Sequence, residues 1–366
     1  MLLPRHWYVV PVLALIVFGC GETNPVDPTN PAVYDSTGYA AATADQATLR
    51  AAFASLDELL ETARTPNVRL SQADINAALA PMKDAVVPTF KDNLNTYTRE
   101  MADATGGVYS WQAIPDASSA GGLYGGYVFT EHGLDMAEVI VKCLFSAVFY
   151  HQAETITRSP LTKESLHKFL SLYGASPRFA NSDNATISPD VLVAGYCARR
   201  DQNDGKGLYS RIRLEFIKAQ SAVNENNATQ ATASAKNILQ LWERSQMATV
   251  VNYIYATVEG LSASNVTDSL RAKAMHAYGE CVGILTGWRF IEEQRRQITT
   301  AQIDELLNLL SAPVDGPWKS YTIWQSPVAQ LPNVVAVRER LQDIYGFTDE
   351  EMISFKTNWV SAQGRK

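Results

Sequence analysis

Apolar residues recur every three to four positions through most of the chain beyond residue 45. Residues 45–64 are an example, with Phe53, Leu56 and Leu60 on one face and Pro66 shortly after the pattern ends. Such spacing is typical of an amphipathic helix closed by a proline. The same pattern predicts ten more helices, over residues 71–104, 128–157, 162–173, 189–199, 208–224, 230–261, 268–297, 300–310, 334–345 and 348–361.

Two long segments lack this period. Residues 105–126 and 313–332 are rich in glycine, proline and aromatic side chains, and we predict irregular loops for both. Pro81 and Pro88 are expected to kink the helix that contains them. Because we find no sustained alternation of apolar and polar residues bounded by hairpin turns, the predicted class is all-α, a helical bundle of about nine to eleven helices.

The length of the helical region bears on its domain organisation. Residues 45–361 are more than one hydrophobic core usually holds, so we expect either one large helical bundle or two packed sub-bundles, 45–200 and 201–361. Within the predicted helix 268–297, Gly283 and Gly287 continue the face that begins with His276. Their missing side chains would let another helix approach closely.

The N-terminal residues have the pattern of an export signal. Arg5 precedes an uncharged apolar run over residues 7–19, which is too short to span a bilayer and is interrupted by Pro11. The sequence Val-Phe-Gly-Cys at residues 17–20 resembles a lipobox, so residues 1–19 are predicted to be a lipoprotein signal peptide and Cys20 the acylated residue. An ordinary secretory signal that ends near a cysteine is the alternative.

The predicted anchor determines the expected location. Residue 21 is glycine and not the aspartate that favours inner-membrane retention, so we expect an outer-membrane lipoprotein facing the periplasm or the cell surface. Residues 20–44 would then be the lipidated cysteine and a flexible, proline-rich tether.

Charge and cysteine content narrow the classes of partner. The chain has 31 Lys and Arg against 38 Asp and Glu, a net charge of −7, which gives no electrostatic case for binding nucleic acid or anionic lipid headgroups. Membrane contact would come from the lipid anchor. Cys143 and Cys281 lie in apolar helical stretches and are expected to be buried thiols, although one disulfide among Cys143, Cys197 and Cys281 remains open.

Histidines paired with carboxylates one helical turn away are the clearest candidates for chemistry. Two such pairs are candidates for binding a ligand or a metal ion, His276 with Glu280 and His151 with Glu154. A polar stripe of His132, Asp135, Glu138 and Lys142 at three-to-four spacing adds His132 and Glu138 as further candidates. Imidazole nitrogen and carboxylate oxygen both suit zinc or iron, although two ligands do not make a site. The alternative for each pair is an ordinary hydrogen bond on a helix surface.

Two short stretches carry a resemblance to a known family. The residues around His276, with His-Ala, Gly-Glu, Gly-Ile and Trp-Arg-Phe, and the stretch Lys-Cys-Leu-Phe-Ser-Ala at 142–147 are similar to the imelysin-like helical lipoproteins. The resemblance implies a lipid-anchored or periplasmic helical protein with two bundle-like halves, linked to iron or haem uptake. The founding group was classed as a peptidase on a Gly-x-His-x-x-Glu motif, whereas here Ala274 and Phe149 stand where the glycine would precede His276 and His151.

These observations predict a non-enzymatic envelope lipoprotein that binds a small ligand or an envelope protein partner, with a metal ion or haem as the implied cofactor. The chain contains no HExxH, GxSxG or GxxxxGK sequence. A metal-dependent hydrolase that uses His276 and Glu280 is one alternative, with no catalytic residue assigned beyond them. A purely structural envelope component is the other.

Overall fold

The computed structural model describes residues 33–113, 115, 120–182 and 190–365. The predicted signal peptide, Cys20 and most of the predicted tether lie outside these residues. Helices dominate the described part of the chain, which confirms the all-α class, and they are more numerous than the nine to eleven predicted. No helix in the described part is both long and apolar enough to cross a membrane.

The first half of the described chain contains eight α-helices and a hairpin. The helices are α1 (Tyr39–Ala42), α2 (Ala44–Thr62), α3 (Gln72–Leu79), α4 (Lys91–Ala104), α5 (Met136–Leu144), α6 (His151–Thr157), α7 (Lys163–Tyr173) and α8 (Leu192–Arg199). A π-helical stretch, Phe145–Tyr150, joins α5 to α6. Strands β1 (Gly121–Tyr124) and β2 (Tyr127–Thr130) pair antiparallel, with Tyr124 opposite Tyr127.

The second half contains eight more α-helices. They are α9 (Leu208–Asn224), α10 (Ala228–Ser262), α11 (Asp268–Arg289), α12 (Thr300–Leu309), α13 (Tyr321–Gln325), α14 (Pro327–Tyr345), α15 (Asp349–Ser354) and α16 (Trp359–Ala362). The longest, α10, packs against α8, α9, α11 and α14, and α11 packs in turn against α5. Short 3₁₀ turns occur at Ala80–Met82, Pro88–Phe90, Ala180–Ser182 and Glu293–Arg295.

The hairpin corrects two predictions. The predicted helix 128–157 begins only at Met136, because residues 127–130 form β2, and the predicted loop 105–126 contains β1. Gly125 and Gly126 form the turn with φ of 57° and 94°, a left-handed conformation that glycine adopts without steric cost. A two-residue Gly-Gly turn is a recognised hairpin signal, and the short strands beside it were too brief to show alternation.

Prolines break helices where kinks were predicted. Residues 71–104 form two helices, α3 and α4, separated by 3₁₀ turns that include Pro81 and Pro88. Proline lacks the N–H that would continue the helix and its ring clashes with the preceding turn. In the gap, the N–H of Val87 donates instead to the carbonyl of Ala147, at 2.8 Å.

Several predicted ends also differ. The segment 313–332 contains α13 and the start of α14, the helix 268–297 ends at Arg289, and residues 348–361 form two helices, not one. The helix predicted over 189–199 begins at Leu192, and residue 189 lies outside the described residues.

The predicted tether extends too far towards the helical body. Tyr34 is buried, and its hydroxyl hydrogen-bonds to Nδ1 of His167 at 2.8 Å. Asp35 is paired with Lys163, and the Gln220 side chain donates to its carbonyl. Residues 34–43 therefore belong to the packed structure, since apolar burial and hydrogen bonds offset their ordering entropy.

Glycines let α11 lie directly on α5. A Cβ atom added at Gly283 would stand 2.8 Å from Cβ of Lys142 and 2.9 Å from the carbonyl oxygen of Glu138, and one at Gly287 would stand 2.7 Å from the carbonyl of Cys143. The thiol of Cys143 donates to the carbonyl of Gly283 at 3.2 Å, and all three described cysteines are buried and free. The close approach predicted for this face of α11 is confirmed, and it brings the polar residues of the two helices together.

We expect Gly283→Ala to destabilise the protein. Alanine favours a helix by about 1 kcal/mol over glycine, but the added methyl group would push the α5 backbone away, and overpacking of this kind costs about 1–3 kcal/mol. Chemical denaturation should show a net loss of unfolding free energy. Gly316→Ala, where the nearest atom to the new Cβ is Cγ of Pro313 at 3.2 Å in a loop, is the matched control. A variant at 283 that is more stable than the wild type would contradict the close approach.

Candidate functional site

Five ionisable side chains meet where α5 packs on α11. Asp135 is the N-cap of α5, and Glu138 and Lys142 follow it one and two turns later on the same face. His276 and Glu280 lie four residues apart on the facing side of α11. We call these five residues the charge cluster.

Short contacts connect all five members of the charge cluster. Nδ1 of His276 is 2.9 Å from Oδ2 of Asp135 and 3.7 Å from Oε1 of Glu138, and its Nε2 is 3.8 Å from Oε2 of Glu280. Nζ of Lys142 donates to Oε2 of Glu138 at 2.8 Å and is 3.1 Å from Oε1 of Glu280. Lys142 is therefore the cation that joins the two glutamates, and His276 joins all three carboxylates.

Only His276 has appreciable contact with solvent. Asp135 is 1% exposed, Lys142 3%, Glu138 6% and Glu280 7%, whereas the His276 side chain is 19% exposed. Buried ionised groups are costly unless they are paired and hydrogen-bonded. The pairing described above meets that requirement, and the imidazole is the route by which a solute would reach the cluster.

The hairpin and the end of α2 cover this route. The Tyr127 ring of β2 stacks on the His276 imidazole, with centroids 4.3 Å apart and an interplanar angle of 26°. The Arg64 guanidinium lies 5.2 Å from the centre of the Tyr127 ring and donates to Oε1 of Glu138 at 2.8 Å. The Tyr124 hydroxyl fixes the hairpin to α11 by donating to Asp268 at 2.7 Å.

The surroundings move the pKa values of the cluster in opposite directions. Burial alone would lower the pKa of His276, but the hydrogen bond and charge of Asp135, together with Glu138 and Glu280, outweigh it and raise that pKa above its usual value. Burial opposes ionisation of Glu138 too, yet Lys142, His276 and Arg64 lower its pKa. Burial raises the pKa of Glu280, with Lys142 opposing the change.

The charges indicate what can complete the cluster. With its carboxylates ionised, the cluster has three negative charges, against the positive charges of Lys142 and the neighbouring Arg64. One negative charge remains when His276 is neutral. A proton on His276 or a bound cation can balance it, and the raised pKa of His276 is the expected result when the proton does so.

Three members of the cluster could together hold a metal ion. Asp135, Glu138 and His276 each offer one ligand atom, and these atoms all lie within 4.8 Å of one another. Nδ1 of His276 is 2.9 Å and 3.7 Å from the nearest oxygens of Asp135 and Glu138. These separations are close to the roughly 3.4 Å between ligand atoms that each stand about 2.1 Å from a tetrahedral zinc ion, and one nitrogen with two oxygens suits zinc or iron. The metal would take the place of the proton on Nδ1 of His276.

The predicted site residues separate into two groups. His276, Glu280 and Glu138 come together, but the other three contribute no ligand atom to the group of described residues around His276. Glu154 binds Arg158 at 2.7 Å and Arg295 at 3.3 Å. His132 lies 3.5 Å from Glu131 beside the Trp318 ring, and His151 is partly buried at the start of α6.

Asp135 is the ligand that sequence reasoning did not single out. It was placed inside a predicted helix as one residue of a polar stripe, whereas it caps α5 and its free oxygen reaches His276. The sequence held a signal, because Gly133, Asp135 and Glu138 have the spacing of the Gly-x-His-x-x-Glu motif with aspartate at the histidine position. Arg64 and Tyr127 had no signal in their local sequence, since tertiary packing alone brings them to the cluster.

Comparisons with known proteins found no relative of this chain. No protein-family profile, no curated protein sequence and no solved structure matches the chain at a significant level.

We expect Asp135→Asn to lower the pKa of His276. The substitution removes the nearest negative charge while keeping a hydrogen-bond acceptor, and losing such a partner shifts a pKa by roughly one unit or more. NMR titration of the histidine ring protons, with His276→Gln to assign the signal, would measure the change. The other four histidines are internal controls.

The same substitution has an expected pH dependence. A histidine whose pKa is raised on folding adds stability below its unfolded pKa of about 6.5 and loses that contribution as the pH rises through the folded pKa. The loss of unfolding free energy in Asp135→Asn should therefore be larger at pH 6 than at pH 9. A deficit that grows with pH would contradict a protonated His276 in the cluster.

Proposed function

We propose that this protein is a non-enzymatic binding protein that holds a divalent cation between Asp135, Glu138 and His276, in competition with a proton. The observation that carries the proposal is the convergence of these three ligand atoms in a nearly dry contact between α5 and α11. A pair of buried helices gains little from ionisable residues alone, because well-packed apolar residues are often equally stable there.

The neighbouring cations suggest reversible binding. Arg64 and Lys142 each hold one oxygen of Glu138, so a metal ion would have to displace the Arg64 hydrogen bond from Oε1. Two positive charges this close weaken the attraction for a divalent ion. A site that binds and releases its cation agrees better with this arrangement than a permanent structural zinc site does.

The arrangement of the charge cluster does not support hydrolysis beyond what it supports for cation binding. A catalytic zinc needs three protein ligands and an open position for water. Here Tyr127 stacks over the imidazole and the Nε2 side faces Glu280. The hydrolase therefore remains the alternative, and the link to iron or haem uptake still depends on the family resemblance.

We propose further that the helical body is exported and fastened to the outer membrane through an acylated Cys20. The support is the order of the N-terminal residues, with Arg5, a short apolar run and then Gly19-Cys20. An extracytoplasmic cation-binding protein would meet metal ions and small ligands before they reach the cytoplasm, and it would share its compartment with envelope proteins.

Metal binding can be tested on the chelator-treated protein. Calorimetric titration with Zn²⁺ and with Co²⁺ should show one equivalent bound to the wild type, with affinity falling about tenfold for each pH unit below the pKa of His276 because one proton is released. His276→Ala removes a ligand and Asp135→Asn replaces a charged ligand oxygen with a neutral one, so each should weaken binding by at least about tenfold.

His132→Ala and His151→Ala are the matched controls, because both histidines lie outside the cluster. Circular dichroism melting would confirm that every variant is folded. Wild-type protein without saturable binding, or His276→Ala that binds as the wild type does, would overturn the cation proposal.

The anchor has its own test. In a Gram-negative host, the wild-type protein should take up labelled palmitate and sediment with outer membranes, while Cys20→Ser should do neither. Cys197→Ser, which changes a buried thiol in the body, should stay membrane-bound. If the wild type and Cys20→Ser sediment with membranes to the same extent, the proposed lipid anchor is wrong.

A further inference from the structure

A second, open cleft lies beside α5, and no residue of α11 lines it. It has a volume of about 710 Å³ and is lined by residues of α2, α5, the π-helical stretch, the 174–177 turn and α8. Sites for small molecules usually have volumes of about 300–1,000 Å³ and combine apolar walls with a few polar groups. None of the three ligand residues Asp135, Glu138 and His276 lines this cleft.

Aromatic rings form much of the cleft wall. Phe145 lies between Phe53 and Tyr196, with ring centroids 5.7 Å and 5.5 Å away, and Tyr39 lines the same space. Rings of this kind offer flat apolar surface to another ring or to a hydrocarbon chain. The wall is fixed in place, because Phe53 and Phe145 belong to the buried core.

The charged groups that line the cleft differ in whether they already have partners. Asp190 accepts hydrogen bonds from the backbone N–H of Ser176, from Asn181 and from the Tyr209 hydroxyl, so its capacity is occupied. Arg50 and Arg199, in contrast, make no ion pair with any residue that the structure describes. The Arg199 guanidinium rests on the Tyr196 ring, 4.7 Å from its centre, and Arg50 is half-buried on α2.

Both guanidinium groups line the cleft, where they are available to an acidic ligand. Arginine is the side chain best suited to bind carboxylate, sulfonate or phosphate through two parallel hydrogen bonds. Asp57 also lines the cleft, and burial, together with the charge of Glu138, raises the pKa of its carboxyl group. The arginines thus leave the accessible groups of the cleft with a net positive charge.

We infer that this cleft binds a small organic anion with a ring-containing apolar body, whose anionic group is held by Arg50 and Arg199. The inference is independent of the cation site, because it uses different residues. The rings would contact the body of the ligand, and the guanidinium groups would pair with its acidic group at the cleft mouth.

Two fluorescent probes of nearly the same shape test this inference. Anilinonaphthalene sulfonate has a fused ring system and an anionic group, and N-phenylnaphthylamine has the same rings without the sulfonate. The wild type should bind both probes at one site, and the sulfonate more tightly. Arg50→Met and Arg199→Met should each weaken sulfonate binding by about tenfold, the effect of losing one charge-assisted hydrogen bond, while binding of the neutral probe stays unchanged.

Matched variants locate the bound probe. Ala54→Trp places a large ring inside the cleft from the exposed surface of α2 and should abolish binding of both probes, whereas Ser55→Trp, the next residue but outside the lining, should leave both unchanged. Arg338→Met removes a guanidinium that rests 4.6 Å above Tyr255 elsewhere, in the same geometry as Arg199, and should have no effect.

Each result decides the inference. Loss of sulfonate binding alone in the two arginine variants, with loss of both probes in Ala54→Trp, supports it. If the arginine substitutions weaken both probes equally, the arginines do not bind the anionic group. If binding survives Ala54→Trp, the probes do not bind in the cleft. Neither result bears on the cation site. Because His276 does not line the cleft, we expect His276→Ala to bind both probes as the wild type does.

Discussion

The direct contact of the α11 backbone with α5 is the constraint on which the rest of this structure depends. Gly283 and Gly287 present no side chain, so the carbonyls of Glu138 and Cys143 lie within about 3 Å of where a Cβ would be. Helices this close exclude water from the residues between them. The polar side chains at their edges must therefore find partners on the opposite helix, and they do so in one cluster of alternating charge.

Because the cluster is buried, each of its charged groups depends on the others for compensation. Lys142 is 3% exposed and has Glu138 and Glu280 as its anionic partners, while the Phe145 and Tyr196 rings lie 5.6 and 5.0 Å from its ammonium nitrogen. Removing one partner of a buried pair commonly costs about 3–5 kcal/mol, because the remaining charge is left without compensation. Stability alone does not require such a network, since apolar residues could fill the same space. This is the reason why we propose that a solute binds beside the partly exposed histidine.

Sequence spacing predicted part of this site, and the reason for its limits is physical. The four-residue separation of His276 and Glu280 correctly placed them on one face, and the glycines after them correctly predicted a close neighbour. The similar pair His151 and Glu154 forms no such group, because the buried Glu154 carboxylate binds Arg158 and Arg295. Spacing defines a shared helical face but not which charged groups other parts of the chain bring to it. Asp135, Tyr127 and Arg64 reach the cluster through a cap, a hairpin and a helix end whose positions only tertiary packing determines.

The tip of the hairpin is the element whose movement would expose His276 at the lowest cost. Separating α5 from α11 would open a packed interface and leave several charges unpaired, and the body of the hairpin is fixed as well, because Phe129 and Thr130 are buried and Leu123 hydrogen-bonds to Gly107 and Tyr109. The residues of the turn, in contrast, are exposed or partly buried. The tip of the hairpin is held by the Tyr124 contact with Asp268 and by the packing of Gly125 on Ala272. Tyr127 follows that tip directly, so a small rotation of the tip would lift its ring from the imidazole. A cation could then exchange with a proton at Nδ1 while the two helices, and the buried Lys142 between them, stay in place.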